Sequence, residues 1–466
     1  MKRRNFLKIM GLSTIGSTLS LFSCGKKISQ KPNIVFILAD DLGWPQLGCY
    51  GSQYYETPNI DQLAREGMRF TDAYAACPVC SPTRASIMTG KYPARLHLTD
   101  FIHGNPFPYA RLKQPDWQQF LPLEEVTIAE VLKSAGYTTA CFGKWHLSIE
   151  KKPPKSLPYN PDKQGFDEYM ITYKPTRNQD PENDAHNVEK ITRRSLDFIE
   201  KNKDKPFFLY ISHNSIHNPL KEKAALIEKY RNKPGSERPE NNPVIGAMLE
   251  TLDRSVGSVL QKLEEMKLTE KTVVIFFSDN GGLERDADQT PLRAGKATLY
   301  EGGIRVPLIV RWPGVVPAGT VCHTPVISVD FFPTLCEVAG VKTPPNLQID
   351  GVSILPLLKQ TGIIERQAIF WHYPHYHTAG VSPSGAVRKG RYKLIEWYDT
   401  SLPETAHQYE LYDLKIDLGE NHNLASEKPE ILAELKQLLR EWRQNVGAQM
   451  LEINPDYDPQ KAKRPR

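Results

Sequence analysis

The chain has 466 residues, with 59 Lys and Arg against 54 Asp and Glu, a formal net charge of +5. Residues 1–23 carry Lys2, Arg3, Arg4 and Lys8 and no acid, so the remainder is near +1, which excludes a global electrostatic case for nucleic acid. The length is ample for a large core and by itself suggests about three domains, a prior that α/β enzymes often exceed.

In chain order, Lys2-Arg3-Arg4-Asn5-Phe6-Leu7-Lys8 is a twin-arginine pattern. The weakly apolar stretch from Ile9 to Phe22 is too short, and too rich in Ser, Thr and Gly, to span a bilayer stably. Leu21-Phe22-Ser23-Cys24 reads as a lipobox, and cleavage before Cys24 would leave a lipid-modified cysteine. The alternative is an ordinary signal peptide with an incidental cysteine. Residues 1–23 are thus expected to be a signal peptide and 24–31 a linker. The protein is expected to be exported in a bacterium, to the periplasm or to a membrane through a lipid anchor.

From Pro32, apolar β-rich runs alternate with amphipathic stretches. Ile34–Leu38, Phe207–Ile211, Val273–Phe277 and Leu308–Val310 lack polar alternation, which suits strands covered on both faces. Helices are expected over Ile60–Met68, Thr127–Ser134, Val188–Glu200 and Val244–Met266, the last with Leu249, Leu252, Val256 and Leu260 on one stripe. This is the rhythm of an α/β fold: a large mixed, mostly parallel sheet between helix layers, binding ligands beyond the carboxyl ends of its strands. The main unit is expected to span 32–362. A smaller α+β unit should follow over 363–454, with antiparallel strands near Ala368–Trp371, Tyr392–Ile395 and Glu410–Leu414 and a helix from Pro429 to Asn445. The tail, 455–466, is expected to be loosely attached.

Chemistry-bearing residues gather at the ends of these runs. Asp40-Asp41 follows the first strand and Ser278-Asp279-Asn280-Gly281-Gly282 a later one. Adjacent acids repel unless a cation or basic group joins them, or they are simply solvated at a turn. If the two strands are neighbours in a parallel sheet, Asp40, Asp41, Asp279 and Asn280 meet, a set of oxygens suited to a hard cation such as calcium. The cysteines, at 24, 49, 77, 80, 141, 322 and 336, have no zinc-like spacing. Cys80-Ser81-Pro82-Thr83-Arg84 is a short pattern that taken alone reads equally as a buried small hydrophobe. If a helix starts at Cys80, Arg84 lies one turn on and the free N–H groups favour an anion. Gly143-Lys144-Trp145-His146-Leu147 puts a cation and a proton-transfer group at spacing two, which share a side if the segment is extended. Ser212–Pro219 offers two histidines, His213 and His217, for one role. Pro291–Arg305 holds Lys296 in a glycine-containing loop, with Glu301 and Arg305 placed as a structural ion pair.

These runs, in content and order, resemble type I sulfatases from about Asn33 to Trp312, with a weaker match beyond. Thr83 stands where serine is common. The resemblance implies an alkaline-phosphatase-like fold and oxidation of Cys80 to formylglycine by a sulfatase-maturing enzyme, before export. It implies that Asp40, Asp41, Asp279, Asn280 and the modified Cys80 hold calcium. It further implies that Lys144 contacts sulfate and formylglycine, that His146 partners the formylglycine hydroxyl, and that Arg84 holds the hydroxyls and acids. His217, rather than His213, and Lys296 would face the leaving oxygen. The implied activity is hydrolysis of sulfate esters through a formylglycine gem-diol, on sulfated polysaccharide fragments of ulvan, carrageenan or glycosaminoglycan type. Sugar contacts are expected from His97–Arg111, with His103 and Arg111, and from Trp371–His377, with His372 and His375; packed contacts between units are the alternative. Two other classes stay open: a phosphatase or phosphonate monoester hydrolase of the same superfamily, and a non-catalytic glycan-binding lipoprotein if Cys80 is not matured.

Overall fold

A computed structural model describes residues 31–149, 158–400 and 408–462. The signal peptide, the lipobox with Cys24, all of the linker but Lys31, and the last four residues of the tail lie outside the described residues. No described helix is long and apolar enough to cross a membrane.

Eight strands form the main sheet: β1 (Asn33–Ala39), β2 (Met68–Phe70), β3 (Thr138–Gly143), β4 (Glu168–Ile171), β5 (Phe207–Ser212), β6 (Thr272–Ser278), β7 (Leu308–Arg311) and β8 (Thr320–Cys322). Their order is β8-β2-β7-β6-β1-β5-β3-β4. β1 is central and pairs in parallel with both β5 and β6. β7 runs antiparallel to β6 and to β2, so the sheet is mixed although mostly parallel.

The apolar runs are continuous because each strand feeds two cores. Ile34, Phe36, Leu38, Val273, Ile275 and Phe277 point one way, and Val35, Ile37, Ala39, Val274 and Phe276 the other. The first face is covered by α2 (Cys80–Thr89), α3 (Ile128–Ser134) and α6 (Phe331–Val338). The second is covered by α1 (Pro58–Glu66), α4 (Val188–Lys201) and α5 (Pro243–Glu265). α3 starts in a reciprocal capping box between Thr127 and Glu130, and α5 on Asn242, whose side chain accepts from two free N–H groups. α1 stops at Glu66 rather than reaching Met68. A Cβ on Gly67 would lie 2.4 Å from the Val310 carbonyl, and Met68 already pairs with Val310.

The C-terminal sheet is antiparallel, in the order β9 (Ile369–Tyr373), β10 (Ser384–Lys389), β11 (Tyr392–Trp397), β12 (Tyr409–Asp413). β10 is a strand that composition does not announce: its buried Ala386 and Val387 sit among polar and small residues. One face packs on α7 (Pro429–Val446) through Leu394, Leu411, Leu435 and Leu439. The other shares a core with the main unit, where Trp371, Tyr373 and Ile395 meet Tyr74, Leu299 and Ile304. A buried ion cluster crosses the same seam. Lys393 donates to Glu301 and Glu420, and Glu301 also accepts from Arg305. The end of the smaller unit, just before the tail, is tied to the main unit: Asn454 donates to the Pro108 and Ala110 carbonyls, and Ile453 pairs with Leu112.

Candidate active site

Parallel pairing of β1 with β6 sets Ala39 opposite Ser278, so Asp40-Asp41 and Asp279-Asn280 leave the sheet at one edge. β3 and β5 end beside them and deliver Lys144 and His217. Gly143 is required where β3 closes on β5. Its φ is 117°, and a Cβ there would lie 1.7 Å from the Ser212 carbonyl. With Gly143 and His146 both at positive φ, the Lys144–His146 segment is not extended, yet both side chains reach one cavity.

That cavity has a volume of about 520 Å³. At its base Cys80 opens α2, with every residue of that helix buried. Its Sγ lies 3.4 Å from Asp40 Oδ1, 3.7 Å from Asp41 Oδ1 and 3.5 Å from Lys296 Nζ. Burial first, and then Asp279, push the Cys80 thiol well above its ordinary range. Lys144 Nζ donates to both Asp40 oxygens, at 2.8 and 2.7 Å, and Lys296 Nζ to Asp41 Oδ1. Burial opposes ionisation of Asp41, but the Lys296 and Lys144 ammoniums outweigh it and hold the carboxyl far below the usual range. Burial works against the Lys296 ammonium, yet Asp41 keeps it charged.

Arg84, Asp40, Asp279 and Asn280 lie beneath the cavity rather than on its wall. Arg84 donates to Asp279 Oδ2 and also to Ser212 Oγ and the Lys144 carbonyl. Asp279 Oδ1 accepts the Asp41 N–H at 3.2 Å, so both its oxygens are engaged. Asp40, Asp41, Cys80 and His217 offer ligand atoms all within 4.8 Å of one another. Asn280 donates its amide to Asp41 Oδ1 at 2.9 Å, while its buried Oδ1 has no partner. Two carboxylates and an orphaned carbonyl oxygen fit a hard divalent cation.

Both histidines expected to act in catalysis stand on the wall. His217 Nδ1 lies 2.6 Å from the Asn218 carbonyl, which can only accept, so Nδ1 carries the proton and Nε2 is left 3.8 Å from Asp41 Oδ2. His146 lines the cavity with a buried, unpartnered Nδ1. Burial foremost pushes both imidazoles well below their ordinary range, so both are neutral. His213 is fully buried and contacts Ser255 instead.

Of the residues expected to meet sugar, His103 lines the cavity and three do not. Arg111 is exposed elsewhere, because its carbonyl accepts the Asn454 N–H and its segment is tied to the end of the smaller unit. His372 is buried between the Tyr398 hydroxyl and the Gln449 carbonyl. His375 is fully buried against Thr99 Oγ1 and Gln114. His375 packs between the units and His372 within the smaller one, while His377 of the same run reaches the cavity. Lys174, Tyr173 and Arg285, which carry no motif, also line it. Their one signal is position just past β4 and β6, at the ligand-binding edge.

Comparison with known proteins bears on this geometry. The family model described as "Sulfatase" matches residues 32–341, and that described as "N-sulphoglucosamine sulphohydrolase, C-terminal" matches residues 294–445. Arylsulfatase A of Homo sapiens is 35% identical over 480 residues, covering 91% of this chain and 90% of the relative. A protein named "Sulfatase" from Formosa agariphila is 31% identical over 533 residues, covering 95% and 94%. The crystal structure of Ps i-CgsB in complex with k-i-k-neocarrahexaose has a TM-score of 0.75 at 26% identity, covering 93% and 96%. The architecture is alkaline-phosphatase-like, with the smaller antiparallel sheet at the C-terminus.

Proposed function

The chain belongs to the sulfatase family and is a sulfuric ester hydrolase, and from that premise we propose that its cavity hydrolyses sulfate esters of carbohydrates, with residue 80 converted to formylglycine and calcium held beside it. The state of Cys80 carries this reading. An unmodified thiol, buried and pushed well above its ordinary range, supplies almost no thiolate at neutral pH and is a poor nucleophile as it stands. Yet it occupies the start of α2, between two carboxylates and two ammoniums. Formylglycine there, hydrated, would supply one hydroxyl to attack sulfur and a second to expel sulfate, with calcium polarising the ester. Asp40, Asp41, Asn280 and residue 80 would hold the ion, and Asp279 completes the set through Asp41 and Arg84.

The chain's own residues then divide the work. Lys144 and Lys296 put two ammoniums at the cavity base, where the sulfuryl oxygens of a substrate would sit, and balance their charge without reorganising. His217, with its proton fixed on Nδ1, offers Nε2 for a proton in transit to the leaving oxygen, and Lys296 stands beside it as a charged donor. His146 offers a nitrogen to a hydroxyl at position 80. Arg84, fully buried, acts by fixing Asp279 and the Lys144 carbonyl. The carbohydrate part is supported by the oligosaccharide in the Ps i-CgsB complex and by the C-terminal model named for a sulphohydrolase of N-sulphoglucosamine.

The test is side-by-side turnover of 4-nitrophenyl sulfate and 4-nitrophenyl phosphate by protein coexpressed with a maturing enzyme. The mass of the peptide spanning residue 80 is read on the same sample. Sulfate turnover with a peptide lighter than the cysteine form is expected. Phosphate turnover alone, or sulfate turnover with cysteine intact, would overturn the proposal. A screen of defined sulfated saccharides then names the sugar.

A further inference from the structure

The catalytic cavity holds more positive charge than its carboxylates balance. Lys144 is paired with Asp40 and Lys296 with Asp41. Asp41 is the one carboxylate among the described residues that line the cavity. Lys174 lines it from the segment after β4, and among the described residues it makes no ion pair and no hydrogen bond. Arg285 lines it from the loop after β6. Its guanidinium is exposed, and its contact with Asp286 is loose at 3.7 Å, while the other Asp286 oxygen takes the Asn218 amide.

Resting on the sulfatase reading, we propose that Lys174 and Arg285 form a second anion subsite that recognises a further negative group beside the scissile sulfate. Lys174 as a residue is exposed, yet burial first, and then the charges of Lys144 and Lys296, hold its ammonium below the ordinary range. It lines the same cavity as the other two cations. Three ammoniums in one pocket, two of them already neutralised, leave a field that an incoming anion relieves. A substrate bearing a single sulfate meets Lys144 and Lys296 and leaves Lys174 and Arg285 unanswered. A second sulfate, or a carboxylate, on the same molecule answers them. The preferred substrate class is thus polyanionic, and the preference is screened by salt because both cations face solvent.

The experiment uses the full, matured enzyme and three aryl sulfates that need no knowledge of the sugar. These are 4-nitrophenyl sulfate, 4-nitrocatechol disulfate with a second sulfate, and 2-carboxy-4-nitrophenyl sulfate with a carboxylate. The ratio of kcat/KM for a two-anion probe to that for the one-anion probe is expected to exceed about ten, mainly through KM, and to shrink as salt rises. Lys174→Ala and Arg285→Ala each lower that ratio severalfold, Lys174→Arg restores most of it, and melting temperatures stay level. The companion that raises the ratio more, sulfate or carboxylate, names the source of the anion. A ratio near one in the parent, or one that both alanine variants leave in place, overturns the second subsite while sulfate turnover stands. Failure of the parent to cleave any of the three overturns the sulfatase reading and the subsite with it.

Discussion

Arg84 and Asp279 are 195 positions apart in the chain and meet in a closed contact, with Nε and Nη2 both donating to one carboxylate oxygen at 2.9 and 2.6 Å. Both are fully buried, so neither charge has water to fall back on. The pair joins the start of α2, which carries Cys80, to the end of β6.

Replacing Arg84 therefore removes more than a contact. Arg84→Met leaves Asp279 buried with one oxygen unpaired, a loss of about 3–5 kcal/mol. Urea unfolding at neutral pH measures it. Arg84→Lys keeps a charge but loses the fork, and should recover part of the stability and little of the activity. Equal stability in parent and Arg84→Met would show that the carboxyl is not ionised there.

Residue 80 separates the covalent route from simple hydrolysis. Cys80→Ser offers one hydroxyl and lacks the second that, in the proposed route, would expel sulfate. On exposure to an aryl sulfate it should either gain one bound sulfate by intact mass or be inactive. Sustained turnover by that variant would sink the covalent route.

Calcium held at Asp40 and Asp41, as proposed, would stabilise only the folded chain. Chelation should lower the melting temperature, and calcium at a hundredfold over its Kd should restore about 2.7 kcal/mol. Asn280→Ala deletes the unpartnered oxygen and should blunt that response. A melting temperature indifferent to chelator and to added calcium counts against the ion.

Lys393 ties the two units together, lying fully buried between Glu301 and Glu420. Lys393→Met leaves Glu420 buried without a cation in the seam, while Glu301 keeps Arg305, and should cost about 3–5 kcal/mol. Because Glu301 closes the segment that carries Lys296, turnover should fall as well. Calorimetry and steady-state kinetics on one preparation read both effects.

Asp100 supplies a pH signature. Burial pushes its carboxyl from 3.8 up to about 7, against the Tyr373 hydroxyl and the Phe101 N–H that donate to it. The fold thus keeps a proton that the unfolded chain releases. Its contribution is fully present below about pH 4 and is lost as pH rises from there to about 7, by at most on the order of 4 kcal/mol. Asp100→Asn should flatten that part of the stability profile. A parent profile already flat between those limits would show that Asp100 is ionised in the fold.

Much of the site was legible before any coordinates. Asp40-Asp41 and Asp279-Asn280 stand out because each follows an apolar run, and strands covered on both faces must end where polar groups can gather. Cys80 to Arg84, Lys144 to His146 and Lys296 were legible as local patterns. Ser384–Lys389 was not, because the face that carries buried Ala386 also buries Ser384 and Arg388, the latter against Asp72 and Tyr74, so apolar and polar residues do not alternate. Among the three histidines of the 371–377 run, spacing does not tell which one escapes the core. His372 and His375 were drawn inward by Tyr398, Thr99 and Gln114, leaving His377 at the cavity.

The sequence by itself determined the alternation of strands and helices, the acid pairs at two strand ends and the pattern around Cys80, since these depend on neighbours along the chain. Tertiary structure alone decided that β1 sits between β5 and β6, that Arg84 closes on Asp279 beneath the cavity, and that Lys174 and Arg285 overlook it. Those relationships join residues tens to hundreds of positions apart. Sheet register and the desolvation of buried charge select them, and neither leaves a mark in local composition.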